Sequence, residues 1–532
     1  MIRRALVAAA VIGPPLLVWI LLFAVVPFQQ QNFPLNDDGA YSLGLFTLLD
    51  HGTVEYFKWT AMPLLGQWAW ATPFTWMLGQ NFAAIRVSTI VLSLLASIAF
   101  YVLLRREAQL TRTHAVLGCA LLSLNPLFLM LSGTFMTDIP ALSFSLIALA
   151  LLTVAVQRQS WPMLCAGAIP ALAAVTSRQN ALAVAGVVLY LAWRRAAGMF
   201  RIGVAVLAFA LAGAGLLAVW WFSFQSGAFV YPPQVPKPDI LVRLVAGLSG
   251  YLGLFVLPIA ILGWRRGLVP LNALLAALAL TVGWLLYVRG VYHYFFSEAL
   301  FPQLGNLITV EGTFGKPYMS GTRPAFLSLG MRAVLTMLSV VGVAWLVAQA
   351  MRRWRERSAP NALDVFAVCH LPFLFIAFTM FDRYMLVFLP AAIGLALWRL
   401  PEGSPPARRA VAAACAGVMV AGSIGLTHDW LAWNAARWQL GRSALASGIA
   451  ASEIEGGFEW NQLHALQDRR IGPESGPPQG LTMEYHATLF NGISGRCAIS
   501  FSPLPDTRVV SAATYAAWLG FEHREMLLVC RP

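Results

Sequence analysis

The chain has 532 residues, of which 59% are hydrophobic and only 11% charged. Soluble globular proteins carry about 25% charged residues, so this composition reads as a polytopic membrane protein. The net charge of +13 does not point to nucleic acid. Most of it falls in short loops between apolar runs, where positive charge marks the cytoplasmic side of a membrane.

A spanning helix needs about 20 apolar residues. Thirteen segments meet or approach that length: 5–28, 82–104, 115–132, 139–156, 161–177, 180–193, 202–223, 244–263, 269–288, 326–350, 363–380, 385–400 and 409–427. The fifth and sixth are short. The first is read as a retained span, because no small-x-small cleavage site follows it. Alternate short loops hold Arg3/Arg4, Arg105/Arg106/Arg112, Arg158, Arg194/Arg195/Arg201, Arg265/Arg266, Arg352/Arg353/Arg355/Arg357 and Arg399/Arg408/Arg409. These are half of the 36 Lys and Arg residues. All fall on one side of a thirteen-span arrangement, which places the N-terminus in the cytoplasm and the C-terminal region outside. The expected architecture is an α-helical polytopic membrane domain, 1–427, followed by a small extracytoplasmic α/β domain, 428–532.

The longer connections lie on the other side. Residues 29–81 hold Asp37-Asp38 and then many aromatics and prolines, which suggests one or two helices lying at the interface. Residues 225–243 are Pro-rich, and 289–325 form a long polar-aromatic loop of the kind that is usually functional. From His428 onward charges, Gly and Pro rise. A helix is expected near 429–447, with strands near 496–503, 507–511 and 525–530. Cys119, Cys165, Cys369 and Cys415 lie in spans as apolar filler. Cys497 and Cys530 lie in the exported region, where oxidation is allowed. They are expected to form a disulfide, the alternative being two buried free thiols.

The polar clusters of interest all fall at the external edge: Asn36-Asp37-Asp38, Thr137-Asp138, Ser177-Arg178-Gln179-Asn180, Arg289 with Tyr292-His293-Tyr294, Lys316, Arg323, and Phe381-Asp382-Arg383-Tyr384. Taken singly, each reads as an interfacial anchor or a helix cap. Asp138 before Ile139-Pro140 suits a helix start. Taken together, they offer cations for phosphate, a carboxylate for a proton and aromatic faces for a sugar.

Three of these motifs, NDDGAYSLGLFTLLDHG, MTDIP and FDRYMLVFLPA, resemble the C-type (GT-C fold) membrane glycosyltransferases. The members most similar are the protein O-mannosyltransferases and the lipid A aminoarabinose transferases of bacteria. The resemblance covers about residues 1–427. It implies a polyprenyl-phosphate sugar donor, a lipid, glycan or protein acceptor, and work at the external face of the bacterial plasma membrane. It also implies inversion at the anomeric carbon. Asp37 would act as base, with Asp38 second. Arg383, with Arg289, Lys316 or Arg323, would hold the donor phosphate, and Asp138, Arg178, Tyr292, His293 and Tyr384 would line the substrate site. One departure is that Gly39 follows the acids, where many relatives have a basic residue after Asp-Glu.

A divalent metal held by Asp37, Asp138 and His293 is conceivable, but no ligand spacing such as HxxxH or CxxC exists, so no cofactor is assigned. The absence of a Gly-rich phosphate loop on the cytoplasmic side disfavours a nucleotide-sugar donor. A transporter or flippase of lipid-linked saccharides is the rival reading. It calls for polar residues and helix breaks near the midplane, whereas the polar residues here cluster at one edge. A purely structural membrane protein is the third reading.

Overall fold

The computed structural model describes residues 2–58, 60–230, 238–264, 271–292, 299–314, 318–376, 381–400, 403–467 and 478–532. Each apolar segment found in the sequence contains a helix among the described residues. The helices are α1 (Ile2–Val25), α2 (Asp38–His51), α3 (Leu65–Leu78), α4 (Phe82–Arg106), α5 (Arg112–Ser123), α6 (Pro126–Ser132) and α7 (Asp138–Arg158). They continue as α8 (Trp161–Ser177), α9 (Ala183–Arg195), α10 (Gly198–Ser223), α11 (Pro238–Gly263), α12 (Leu271–Tyr292), α13 (Leu329–Arg355), α14 (Ala362–Ile376), α15 (Leu389–Leu397) and α16 (Pro406–Ala446).

Among the described residues, eight helices are long and apolar enough to cross a membrane. A ninth crossing is formed if α5 and α6, bent by 62°, count as one span. The bend has a local cause: Pro126 lacks an N–H for the ladder, and the Asn125 side chain caps the new helix by accepting from Leu127 N–H at 3.0 Å. The sequence count of thirteen exceeds this because α8, α9, α14 and α15 are short. The 13 residues of α9 rise only about 20 Å, against a hydrocarbon core of about 30 Å.

Helix ends follow their sequence signals. Asn81 accepts from Ala84 N–H at the start of α4, and Arg105 and Arg106 sit in its last turn, where the helix dipole favours cations. Close packing inside the bundle depends on small residues. A Cβ on Gly342 of α13 would lie 1.8 Å from the Gly253 carbonyl oxygen of α11, so the two backbones touch.

The segment between α1 and α2 is fixed by two buried polar side chains, Arg86 and Asp38. Arg86, in the first turns of α4, is 1% exposed. It donates to the carbonyls of Gly133 (2.7 Å), Gln31 (2.8 Å) and Phe33 (3.1 Å). Asp38 is 2% exposed. Its carboxylate accepts from Phe135 N–H at 2.8 Å and from Leu35 N–H at 3.2 Å. Segment 31–38 is thereby tied to segment 133–135, directly before α7.

The C-terminal region adds α17 (Phe458–Gln467), α18 (Glu484–Ala487) and a four-stranded sheet. Counting from a two-residue hairpin in the long loop, β1 (Ile308–Thr309) and β2 (Gly312–Thr313), its strands are β3 (Ile454–Glu455), β4 (Cys497–Ser500), β5 (Arg508–Ala517) and β6 (Glu522–Cys530). The order is β3-β4-β6-β5, with β3 and β4 parallel and the other pairs antiparallel. The boundary expected at 427/428 falls inside α16. The composition changes there, but no residue breaks the hydrogen-bond ladder, so one helix of 41 residues runs from the bundle into the sheet region. The apolar core is likewise continuous: Leu426, Trp430 and Trp433 of α16 join Ile499 and Leu528 of the sheet in one cluster.

Cys497 and Cys530 face each other across β4 and β6 and form a disulfide. The sequence separation is 33, and a loop of that size contributes about 3–4 kcal/mol in the chain-entropy model. Alkylation of the denatured, non-reduced protein is expected to label Cys119, Cys165, Cys369 and Cys415 only; labelling of all six cysteines would rule the bridge out. A second expectation concerns the acid pair. Asp38→Ala strands two buried N–H groups at about 1–3 kcal/mol each, so it lowers the apparent melting temperature in detergent by several degrees. Asp37→Ala does not, and equal losses would contradict this division of roles.

Candidate active site

One cavity of about 720 Å³ opens where the ends of several helices meet. Asn36 and Asp37 enter it from the tied loop, and Tyr41 from the first turn of α2. Asp138 enters from the first residue of α7, and Arg178 from the residue that ends α8. Arg383 and Tyr384 come from a 3-10 turn, Asp382–Val387, that separates α14 from α15. The long connection between α12 and α13 adds Asn306 and Tyr318, and the C-terminal region adds Phe458 and Tyr485. The wall continues along α7 through Leu142 and Ser145, one to two turns inside the bundle. It includes Leu216, Val219 and Phe222 of α10 and Phe373 of α14. The cavity therefore joins a charged mouth to an apolar groove.

The charges are arranged in a definite way. Arg178 Nη1 lies 2.5 Å from Asp138 Oδ1, and Arg383 Nε lies 4.0 Å from Asp138 Oδ2. Arg178 also sits over the Tyr384 ring at 5.8 Å, and Arg383 over Phe381 at 4.8 Å. Arg178 is thus engaged by a carboxylate. The buried Nε and Nη1 of Arg383 have no hydrogen-bond partner. Burial alone would lower the pKa of Arg383, but Asp138, Tyr384 and Asp37 raise it above its ordinary value, so the group stays charged. Buried polar groups are normally satisfied, and these two guanidinium nitrogens are donors left available at the cavity wall.

Asp37 differs from its neighbour. It is half-buried and faces the cavity, whereas Asp38 is used up in the loop clamp. Burial pushes the Asp37 carboxyl up. Arg383 opposes this, while Glu459 and Asp138 push it further up. The same environment drives the hydroxyl of Tyr41 well above its ordinary range, so it remains a donor.

Asp382 serves the backbone. It accepts from Leu307 N–H at 3.1 Å, from Ile308 N–H at 2.8 Å and from Arg383 N–H at 2.8 Å. This fixes segment 306–308 beside the arginine turn. Asn306 Nδ2 then donates to Tyr318 Oη at 3.2 Å, while its buried Oδ1 has no partner.

Of the residues expected from the sequence, the structure brings together Asp37, Asp138, Arg178, Arg383 and Tyr384. Asp38 points away. Arg289, near the end of α12, is exposed and outside the cavity wall. Arg323 donates to the Thr313 carbonyl at 2.8 Å and lies over Phe501 at 4.4 Å, against the C-terminal sheet. Lys316, His293 and the side chain of Tyr292 lie outside the described residues. Tyr41, Asn306, Tyr318, Phe458 and Tyr485 were not singled out by the sequence. Tyr318 and Asn306 carried a signal, the polar-aromatic character of their loop; Phe458 and Tyr485 carried none. Among the described residues no three His, Cys, Asp or Glu side chains converge as a metal site would require.

Residues 62–222 match the family described as dolichyl-phosphate-mannose-protein mannosyltransferase. The match contains Asp138 and Arg178 and ends before Arg383. No curated protein matches the chain. Among solved structures, the protein O-mannosyltransferase Pmt1-Pmt2 complex of S. cerevisiae, bound to the sugar donor, is 14% identical with a TM-score of 0.33, over 43% of this chain and 35% of its own. The Archaeoglobus fulgidus oligosaccharyltransferase, in complex with Zn and sulfate, is 14% identical with a TM-score of 0.46, over 92% of this chain and 67% of its own. ArnT from Cupriavidus metallidurans, bound to undecaprenyl phosphate, is 14% identical with a TM-score of 0.38, over 98% and 97%. Over residues 62–222 the chain is similar to dolichyl-phosphate-mannose-protein mannosyltransferases, and its motif resemblance to the C-type membrane glycosyltransferases is borne out.

Proposed function

We propose that the cavity transfers a sugar from a polyprenyl-phosphate donor to an acceptor hydroxyl at the external face of the membrane. The observation that carries this reading is the pair of buried, unpartnered nitrogens on Arg383, in the same cavity as Asp37 and open to an apolar groove. A lipid-linked phosphate has the matching parts: an anion for Arg383, a chain for the groove of α7 and α10, and a sugar between them. The family match and the resemblance of the acid-pair motif support the same class of reaction.

In this reading Asp37 takes the proton of the acceptor hydroxyl as its oxygen attacks the anomeric carbon. The bond from that carbon to the phosphate oxygen breaks, and polyprenyl phosphate leaves with the electron pair. A single displacement inverts the anomeric centre. The leaving group is a weak base, so the useful assistance is positive charge, which preorganised Arg383 supplies without reorganisation. Asp138 orients both guanidiniums and helps keep Arg383 charged.

The purified protein is tested with a panel of undecaprenyl-phosphate sugars, reading release of undecaprenyl phosphate. Asp37→Asn is expected to lower kcat by about 100- to 10,000-fold, the usual range for a general base. A raised carboxylate pKa also fixes the sign of the pH effects. Activity needs the ionised form, so the rate falls with decreasing pH at a value above the ordinary carboxylate range. Stability behaves oppositely: ionising Asp37 costs the folded state as pH rises through its raised pKa, so Asp37→Asn loses no stability at neutral pH. Wild-type turnover by Asp37→Asn would rule Asp37 out as base.

Arg383→Ala is expected to raise donor KM more than Arg383→Lys does, because a guanidinium grips phosphate oxygens bidentately and an ammonium acts as a point charge. Unchanged kinetics in both variants would leave Arg383 a purely structural partner of Asp138.

A further inference from the structure

We propose that Glu459 of α17 is a positioning residue for Asp37, and that the C-terminal region therefore completes the active site. The proposal rests on the reading of Asp37 as base. Glu459 is 3% exposed. One carboxylate oxygen accepts from Asn36 N–H at 3.1 Å, in the residue directly before Asp37. The other accepts from Arg437 Nη1 at 2.7 Å. Arg437 lies on α16, is fully buried, and is itself held by Asn434 Oδ1. A chain of charge-assisted hydrogen bonds thus runs from α16 through α17 to the backbone of the catalytic loop.

Two further contacts join the same elements. Phe33 stacks on Trp438 of α16 with the rings 5° from parallel. The Gln462 side chain of α17 fills the space over Gly39, where an added Cβ would lie 2.9 Å from Gln462 Oε1. A side chain at position 39 would displace the end of Gln462 from this space. Together these contacts hold residues 33–39 from the side opposite the Arg86 clamp.

Glu459 also acts by charge. The titratable groups facing Asp37 are Arg383 on the turn before α15, Asp138 on α7, Glu459 on α17, Tyr41 on α2 and Tyr318 on the long loop. Arg383 favours the ionised carboxylate, and the two acids disfavour it. A base that stays strong must not be over-stabilised by its own arginine, and Glu459 offsets that pull.

The test uses the full chain in detergent and needs no donor. Asp37 is labelled with a water-soluble carbodiimide and glycine ethyl ester across a pH series and read by mass spectrometry. Hydrogen exchange is followed in residues 33–41 and 497–530. Glu459→Gln keeps the acceptor for Asn36 N–H and drops the charge. It is expected to move the midpoint of Asp37 labelling to lower pH while exchange in 33–41 stays as in wild type. Glu459→Ala removes the acceptor. It is expected to speed exchange in 33–41 by about tenfold or more, a local opening, with 497–530 unchanged.

An unmoved labelling midpoint in Glu459→Gln together with unmoved exchange in Glu459→Ala overturns the proposal. So does equal loosening of 33–41 and 497–530 in Glu459→Ala, which would make Glu459 a strut of the domain. If Asp37→Asn proves active while the Glu459 variants behave as expected, the base assignment fails and the positioning contact stands.

Discussion

The placement of the whole site depends on a guanidinium that never reaches it. Arg86 is buried at the start of α4 and spends its donors on carbonyls from two separate segments, Gln31 and Phe33 on one side and Gly133 on the other. A charge of this kind without partners costs several kcal/mol, so the two segments are drawn to it and to each other. Asp38 closes the same junction through Phe135 N–H. Asp37 leaves one tied segment and Asp138 follows the other, so the distance between the two cavity acids is set by a pair of buried side chains outside the cavity.

Much of this arrangement was legible in the chain. Long apolar runs mark the helices, and arginines at alternate ends lead to the expectation that the polar clusters share one edge. Parity says nothing about lateral position. Arg289, Arg323 and Arg383 all belong to that edge, yet only Arg383 reaches the cavity, because only its turn is fixed there by Asp382 and the long loop. Adjacent residues at a helix start are also indistinguishable by pattern. Asp37 stands at the N-cap position of α2 without a side-chain cap hydrogen bond, and Asp38 is its first residue, yet only Asp37 lines the cavity. Which one meets the cavity depends on where Phe135 N–H lies, a tertiary fact. The C-terminal contribution was hidden for the same reason, since Phe458 and Asn36 are far apart in the chain.

The mouth of the cavity holds two carboxylates and two guanidiniums in close balance. Arg178 is neutralised in place by Asp138, and Arg383 keeps two donors free. The division matters physically. A fully paired cluster has little left to offer an anion, and a fully unpaired one would be costly in an enclosed site. Asp138 is shared unequally between the two arginines, at 2.5 Å from Arg178 and 4.0 Å from Arg383, which leaves one available.

The unbroken run of α16 has a geometric consequence of its own. At about 1.5 Å per residue, 41 residues make a rod of roughly 60 Å, with Arg408 near one end and Arg437 near the other. Such a rod transmits rotation as well as position. Inserting a single residue between 412 and 428 would turn everything beyond it by about 100° around the helix axis. Arg437, Trp438 and Asn434 would then face away from α17, although no residue of the cavity had been altered. The site is thus sensitive to register in a stretch of helix whose own side chains take no part in chemistry.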